Sequence, residues 1–199
     1  MTPRHLAKLL APLAALLGAC GHTPVPNEHS LLATMNARAQ PMTTAGTAAV
    51  VIASCVVPAS IDRPQLVLTA PNGDTRVVET ERWAEPLKVA IPRALARSLM
   101  ERLPGVTVWT SSAAGPTRPE AKLDLEIVDW RAELGGPVSI DLLWYLRRGE
   151  TTRSGRARSQ ANTADHTYAA LVAAQRAALT STSEEIARVL QELLQKPQR

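Results

Sequence analysis

The side chains best suited to acid–base chemistry lie in two places along the chain. Asp124, Glu126 and Asp129 form an acidic series within one predicted strand, and Asp165 directly precedes His166. Paired carboxylates do acid–base work only in a cleft that shifts their pKa values, and a histidine–aspartate pair needs a nucleophile to activate. The sequence singles out no such nucleophile. We therefore interpret the acidic series as a solvated strand face and Asp165 as a helix cap.

Motifs for phosphate binding and acyl transfer are absent from the sequence. It contains no G-x-G-x-x-G segment, no Walker pattern and no G-x-S-x-G elbow. Two cysteines and four scattered histidines are too few for a multi-ligand zinc fold. We expect no enzymatic activity, no metal site and no cofactor, apart from the covalent lipid considered next.

A cysteine near the N-terminus has the surroundings of an acylation site. Arg4 and Lys8 precede a short apolar stretch from Leu9 to Leu17, which is too short to span a bilayer. The tetrapeptide Leu17-Gly18-Ala19-Cys20 resembles a bacterial lipobox, in which the cysteine thiol receives a diacylglycerol and the new amino terminus a third acyl chain. We predict a lipoprotein signal peptide at residues 1–19 and lipidation at Cys20. The alternative is an ordinary cleaved signal that ends in a chance cysteine.

The residue after the cysteine predicts the destination of the protein. In Gram-negative lipoproteins an aspartate at that position commonly retains the protein in the inner membrane, and here it is Gly21. We expect an outer-membrane lipoprotein that faces the periplasm. Removing Arg4 and Lys8 with the signal lowers the formal charge from +4 to +2, so we expect no nucleic-acid partner. Cys55, flanked by Val and Ile, is predicted to be a small buried apolar residue.

The remaining chain divides into a tether and one folded domain. Residues 20–46 contain proline, asparagine, serine and threonine with little regular pattern, and predict a lipidated tether with a short extended piece at 30–33. Residues 47–199 predict the domain. Apolar periodicities indicate strands at 48–57, 65–69, 75–79, 106–110, 123–127, 140–146 and 153–161, and helices at 86–102 and 165–195. Pro92 conflicts with an unbroken first helix.

This order of elements predicts an α+β fold. We expect a two-layer sandwich in which a mostly antiparallel sheet carries two main helices on one face. Five arginines fall on one predicted hairpin, with only Glu150 between them: Arg147, Arg148, Arg153, Arg156 and Arg158. They predict either an arginine-protected sheet edge or a patch that binds lipid phosphates or an acidic partner.

Two segments resemble one family closely. Asp62-Arg63-Pro64-Gln65 links the first two long strands, and Arg82-Trp83-Ala84-Glu85-Pro86-Leu87 leads into the first helix. Both are similar to signatures of the PqiC, or ABC-type transport auxiliary, lipoprotein family, whose members are membrane-integrity-associated transporter subunits. The last helix, with Tyr168-Ala169-Ala170-Leu171-Val172, is also similar. The resemblance extends over residues 48–194.

The resemblance implies a function in lipid transport between membranes. It implies a non-catalytic outer-membrane component of an MCE-type (Pqi-like) system, with an MCE-domain protein and an inner-membrane permease-like component as partners. A homo-oligomer is compatible with this role. The alternative is a stand-alone periplasmic lipid-binding lipoprotein, which would need an apolar cavity.

The signature residues themselves allow two interpretations. Asp62 and Arg63 could fix the turn through a local ion pair, and Trp83 could plug the junction of helix and sheet. Alternatively, the loop that they form docks on the partner. Under that hypothesis the partner-binding residues are Asp62, Arg63, Gln65, Arg82 and Trp83.

Overall fold

The computed structural model describes residues 25–32, 48–111 and 115–196 of the 199-residue chain. Eight strands and two helices follow one another along these residues. They are β1 (Asn27–His29), β2 (Ala48–Val56), β3 (Gln65–Thr69), β4 (Thr75–Trp83), α1 (Leu87–Arg102), β5 (Val106–Thr110), β6 (Ala121–Ala132), β7 (Pro137–Arg148), β8 (Thr151–Asn162) and α2 (Tyr168–Gln195). The fold is α+β, as predicted.

A five-stranded sheet carries both helices on one face. Its strand order is β5-β2-β6-β7-β8, with β2 parallel to both neighbours and β6, β7 and β8 antiparallel. Helix α1 packs against β5 and β2, and α2 against β7 and β8. The alternation in β6 and β7 buries Leu125 and Leu142 beneath the helices, where each is at most 1% exposed. The sheet is mixed, because the crossovers through α1 return β5 parallel to β2.

Pro92 lies inside α1 without ending it. Its ring removes the amide that would bond to the carbonyl four residues earlier, yet the helix continues to Arg102. Position 92 is buried near the N-terminal end of α1, and the amides of Val89 and Ala90 both donate to the Pro86 carbonyl. These two hydrogen bonds hold the first turn of α1 in place, although Pro92 has no amide hydrogen to donate.

Helix α2 begins later than the sequence predicts, and its cap is a different residue. Thr167 is the N-cap, and its hydroxyl accepts from the Ala170 amide at 3.1 Å. The Asp165 carboxylate accepts instead from the Thr167 amide at 2.7 Å. The assignment of Asp165 as the cap is therefore wrong. Its short side chain fixes the preceding turn, which places the threonine at the helix end.

A smaller sheet lies at one end of the five-stranded sheet. Its order is β1-β4-β3, with β3 and β4 joined by a hairpin at Asn72-Gly73 and β1 parallel to β4. Gly73 adopts a φ of +90°, which favours glycine. Strand β3 contacts β6. Strand β1 lies within the predicted tether and ends directly before the extended piece expected at 30–33. Residues 30–32 do not form a strand, so the extended segment lies three residues earlier than predicted.

Candidate functional site

The two signature segments meet where the three-stranded sheet joins α1. Antiparallel pairing of β3 and β4 places Gln65 opposite Arg82, and the Trp83 amide donates to the Pro64 carbonyl at 2.7 Å. The two signature segments line an open cavity of about 290 Å³, which we call the motif groove. Its lining residues are Asp62, Arg63, Pro64, Trp83, Ala84, Glu85, Pro86 and Lys88.

Backbone hydrogen bonds shape the loop on one side of the motif groove. The Pro58 carbonyl accepts from the amides of Ile61 and Asp62, both at 3.0 Å. The Arg63 amide donates to the Ile61 carbonyl at 2.8 Å, and the Ile61 side chain is buried. The loop is therefore anchored by its own backbone and by one apolar side chain.

The acidic side chains around the motif groove pair with lysine and arginine residues of α1. The Asp62 carboxylate lies 3.8 Å from the Lys88 ammonium, and Glu85 accepts from Arg93 at 2.6 Å. The expected ion pair between Asp62 and Arg63 is not formed. Within the described part of the chain, the exposed Arg63 side chain forms no hydrogen bond or ion pair. The Arg63 guanidinium at the motif groove is thus available to a partner.

The other three signature residues are less accessible. Trp83 is 8% exposed and belongs to the hydrophobic core while forming part of the groove wall. The Gln65 amide donates to Glu79 at 3.0 Å. The Nε atom of Arg82 is buried without a hydrogen-bond partner among the described residues. The structure thus places Asp62, Arg63 and Trp83 in the groove wall and pairs Gln65 with Arg82 beside it, with Arg63 the most available of the five.

Three of the five hairpin arginines lie on the sheet face away from the helices and are paired with carboxylates. Arg156 and Arg158 both donate to Asp141, at 2.6–2.7 Å and 3.1 Å, and Arg147 donates to Asp124 at 3.1 Å. The Arg156 and Arg158 guanidiniums hold the pKa of the Asp141 carboxyl below its ordinary value. These acids lie on β6 and β7, so this face is of mixed charge.

The remaining two arginines point elsewhere. Arg148 donates to the carbonyls of Leu193 and Lys196 at 2.6 Å and contacts Glu120, so it caps the end of α2. Arg153, on the edge strand β8, lies opposite Leu146 of β7 and faces the helix side of the sheet. The structure therefore does not bring the five arginines together as one cationic patch. The arginine-protected edge, the other interpretation of the sequence, stays a prediction.

The acidic series lies on the same helix-free face. Asp124 accepts from the Ser54 hydroxyl at 2.6 Å as well as from Arg147, and Asp129 accepts from Arg131 at 2.8 Å. Glu126 lies between them on β6. The partners of Asp124 and Asp129 are basic or hydroxyl side chains of the sheet itself, as expected of a structural strand face.

Sequence reasoning missed Lys88 and the pairing of Glu85 with Arg93. Lys88 directly follows the second signature, so helical spacing could have placed it beside the groove. The contact with Asp62 joins residues 26 positions apart and has no local signal.

Several predictions concern the membrane and bound ions. Cys20, the predicted lipidation site, lies outside the described residues. Within the described ranges, no helix is long and apolar enough to cross a membrane. No group of three or more His, Cys, Asp or Glu side chains in those ranges could hold a metal ion.

Cys55 is expected to be unreactive in the folded protein. Burial raises the pKa of its thiol to about 12, and the nearby Asp62 carboxylate adds to the shift. The thiolate fraction at pH 8 is then negligible. A maleimide should label Cys55 fully in denaturant and far more slowly in native protein, as measured by intact mass. Fast labelling of native protein at pH 8 would contradict this assignment.

Comparison with known proteins gives one family match and several similar solved structures. The model of the family described as "ABC-type transport auxiliary lipoprotein component" matches residues 30–187. A crystal structure of an uncharacterized protein superposes with a TM-score of 0.69 at 18% identity, covering 83% of this chain and 99% of the other. Protein XCC0632 from Xanthomonas campestris superposes with a TM-score of 0.59 at 18% identity, covering 87% and 95%. No functionally curated protein matches the sequence significantly.

Proposed function

Because the chain belongs to the family of ABC-type transport auxiliary lipoprotein components, we propose that it serves an MCE-type, Pqi-like system that moves lipid between membranes. We propose that covalent lipid on Cys20 anchors it in the outer membrane, where it faces the periplasm. It uses no other cofactor. It acts without catalysis, as the component on which an MCE-domain protein docks. The system includes an inner-membrane permease-like component and maintains membrane integrity.

The observation that carries the proposal is the accessible motif groove with a free cation at its rim. Pro64, Trp83 and Pro86 give the groove an apolar surface, and the unpaired Arg63 guanidinium stands beside it. An exposed arginine next to apolar residues is typical of protein interfaces. The groove therefore fits a partner segment that presents an apolar side chain and a carboxylate.

The filled interior supports an assembly role over an independent lipid carrier. Leu95, Leu142 and Leu190, between the helices and the sheet, are each fully buried. Protein side chains already occupy the space in which an acyl chain would be held. A carrier would have to open this core, at the cost of the burial that stabilises it.

Substituting Arg63 tests the docking surface. Arg63→Glu is expected to lower recovery of the MCE-domain protein about tenfold, because one lost interface charge contact contributes about 1.4 kcal/mol or more. The measurement is affinity purification of the tagged lipoprotein from detergent-solubilised envelopes after mild crosslinking, with mass spectrometry of partners and lipids. Thermal unfolding of the variant should be unchanged, since the side chain has no partner in the described fold.

Arg188→Glu is the matched control. Arg188 is exposed on α2, away from the groove, and the same charge reversal should leave recovery unchanged. If Arg63→Glu and Arg188→Glu recover the MCE-domain protein equally, the groove is not the docking surface. Recovery of lipid without any MCE-domain protein would favour the stand-alone carrier.

A further inference from the structure

Strand β1 attaches the segment that follows Cys20 firmly to the folded body. It pairs in parallel with the end of β4, and the Ala84 amide donates to the His29 carbonyl at 2.8 Å. The side chains of Asn27 and His29 contact the Glu81 carboxylate at 2.9 and 2.6 Å.

The Glu81 carboxylate is buried in the contact between β1 and β4. Its side chain is almost fully buried, which by itself raises the pKa of the carboxyl, yet hydrogen bonds from His29 and Asn27 outweigh burial and lower it. Detaching β1 would break both side-chain hydrogen bonds to this carboxylate, and hydrogen bonds to a charged group are among the stronger ones in proteins. The contact therefore opposes detachment of β1.

The residues after β1 add a second attachment. Leu31 is 1% exposed within the core, and the Arg176 guanidinium of α2 donates to the carbonyls of Ser30 and Leu31 at 3.0 and 3.1 Å. Residues 27–31 are thus held by the three-stranded sheet and by α2 together.

This attachment shortens the connection to the lipid. Six Cα-to-Cα steps separate Cys20 from Pro26, and they span at most about 21 Å when fully extended. With β1 detached, the connection would run to Ala48 and could reach more than about 90 Å. The attached strand therefore keeps the three-stranded sheet close to the acylated end of the chain.

The direction of β1 indicates which part of the sheet comes closest. Because β1 is parallel to β4, the N-terminal end of β1 points toward the start of β4 and the hairpin at Asn72-Gly73. That hairpin packs beside the end of β6 near Arg131. The β7–β8 turn at Gly149 lies about ten residues of strand away, or roughly 34 Å.

We propose that attachment of β1 makes the β3–β4 hairpin the surface that faces phospholipid headgroups. The hairpin presents Asn72, Asp74, Thr75 and Arg76, which are polar and exposed and suit the hydrated headgroup layer. The opposite end, with the β7–β8 turn, then points into the periplasm. This inference rests on the proposed acylation of Cys20 but not on any partner.

Energy transfer to a labelled bilayer tests the orientation. The acylated protein, with Cys55→Ala, carries a donor at Asn72→Cys or at Glu150→Cys. Vesicles of phosphatidylethanolamine and phosphatidylglycerol contain an acceptor-labelled lipid. Transfer efficiency is expected to be at least about twofold higher from position 72 than from position 150. Equal efficiencies, or a higher one from position 150, would overturn the inference.

Detaching β1 provides the second measurement. Leu31→Asp should lower transfer from position 72 to about the value at position 150, whereas Val25→Asp, at an 89% exposed site before β1, should change neither. Transfer from position 72 that survives Leu31→Asp would show that β1 does not set the orientation. Protein that never binds the vesicles would instead contradict acylation of Cys20, so the two failures are distinguishable.

Discussion

Replacing Cys20 with serine, behind a signal peptide of the ordinary cleaved kind, is expected to move the protein from the membrane fraction to the soluble periplasmic fraction. Each buried methylene contributes about 0.8 kcal/mol, and two or three acyl chains together hold a protein stably where one holds marginally. Removing the acyl chains removes this contribution to membrane binding. Cell fractionation with immunoblotting, together with metabolic labelling by palmitate, measures the result.

Gly21→Asp is the matched control for this experiment. It keeps the cysteine and its acyl chains, so the variant should stay in the membrane fraction and take up palmitate. It should shift from the outer to the inner membrane on a sucrose gradient, if Gly21 carries the outer-membrane signal. A wild-type protein that is already soluble and unlabelled would support the alternative of an ordinary signal peptide.

Truncating Trp83 is expected to destabilise the domain by about 3–5 kcal/mol. The side chain is 8% exposed and lies where β4 passes into α1, and its removal leaves a cavity that the neighbouring core cannot fill completely. Domains are stable by only about 5–15 kcal/mol, so the loss is a large share of the total. Urea unfolding of a soluble, unacylated form of Trp83→Ala measures it directly.

Tyr145→Ala is the control for loss of an aromatic ring. Tyr145 is 42% exposed on the helix-free face of the sheet, and its removal should cost less than about 1 kcal/mol. If Trp83→Ala were as stable as the wild type but failed to recover the MCE-domain protein, Trp83 would be a docking residue. We expect Trp83 to affect docking only by stabilising the fold, and Arg63 to contact the MCE-domain protein directly.

Local patterns predicted the elements well for identifiable reasons. Leu123, Leu125 and Ile127 alternate with acidic residues because one face of β6 lies under the helices, and this period of two is visible in any short window. The apolar positions of α2 recur at helical spacing for the same reason, and most of them are buried. The position of Asp165 was misread because several nearby residues can accept a cap hydrogen bond, and only the backbone path selects Thr167.

Short stretches of the sequence sufficed to predict seven of the eight described strands, both helices and the two family signatures, since each depends on residues close together in the chain. Which distant groups meet depends on how the whole chain packs. Arg148 caps α2 from 45 residues away, Asp62 pairs with Lys88 instead of its neighbour, and β1 joins β4 through Glu81. Such contacts depend on strand register and helix packing, which no local pattern encodes. The same packing leaves Arg63 exposed at the motif groove.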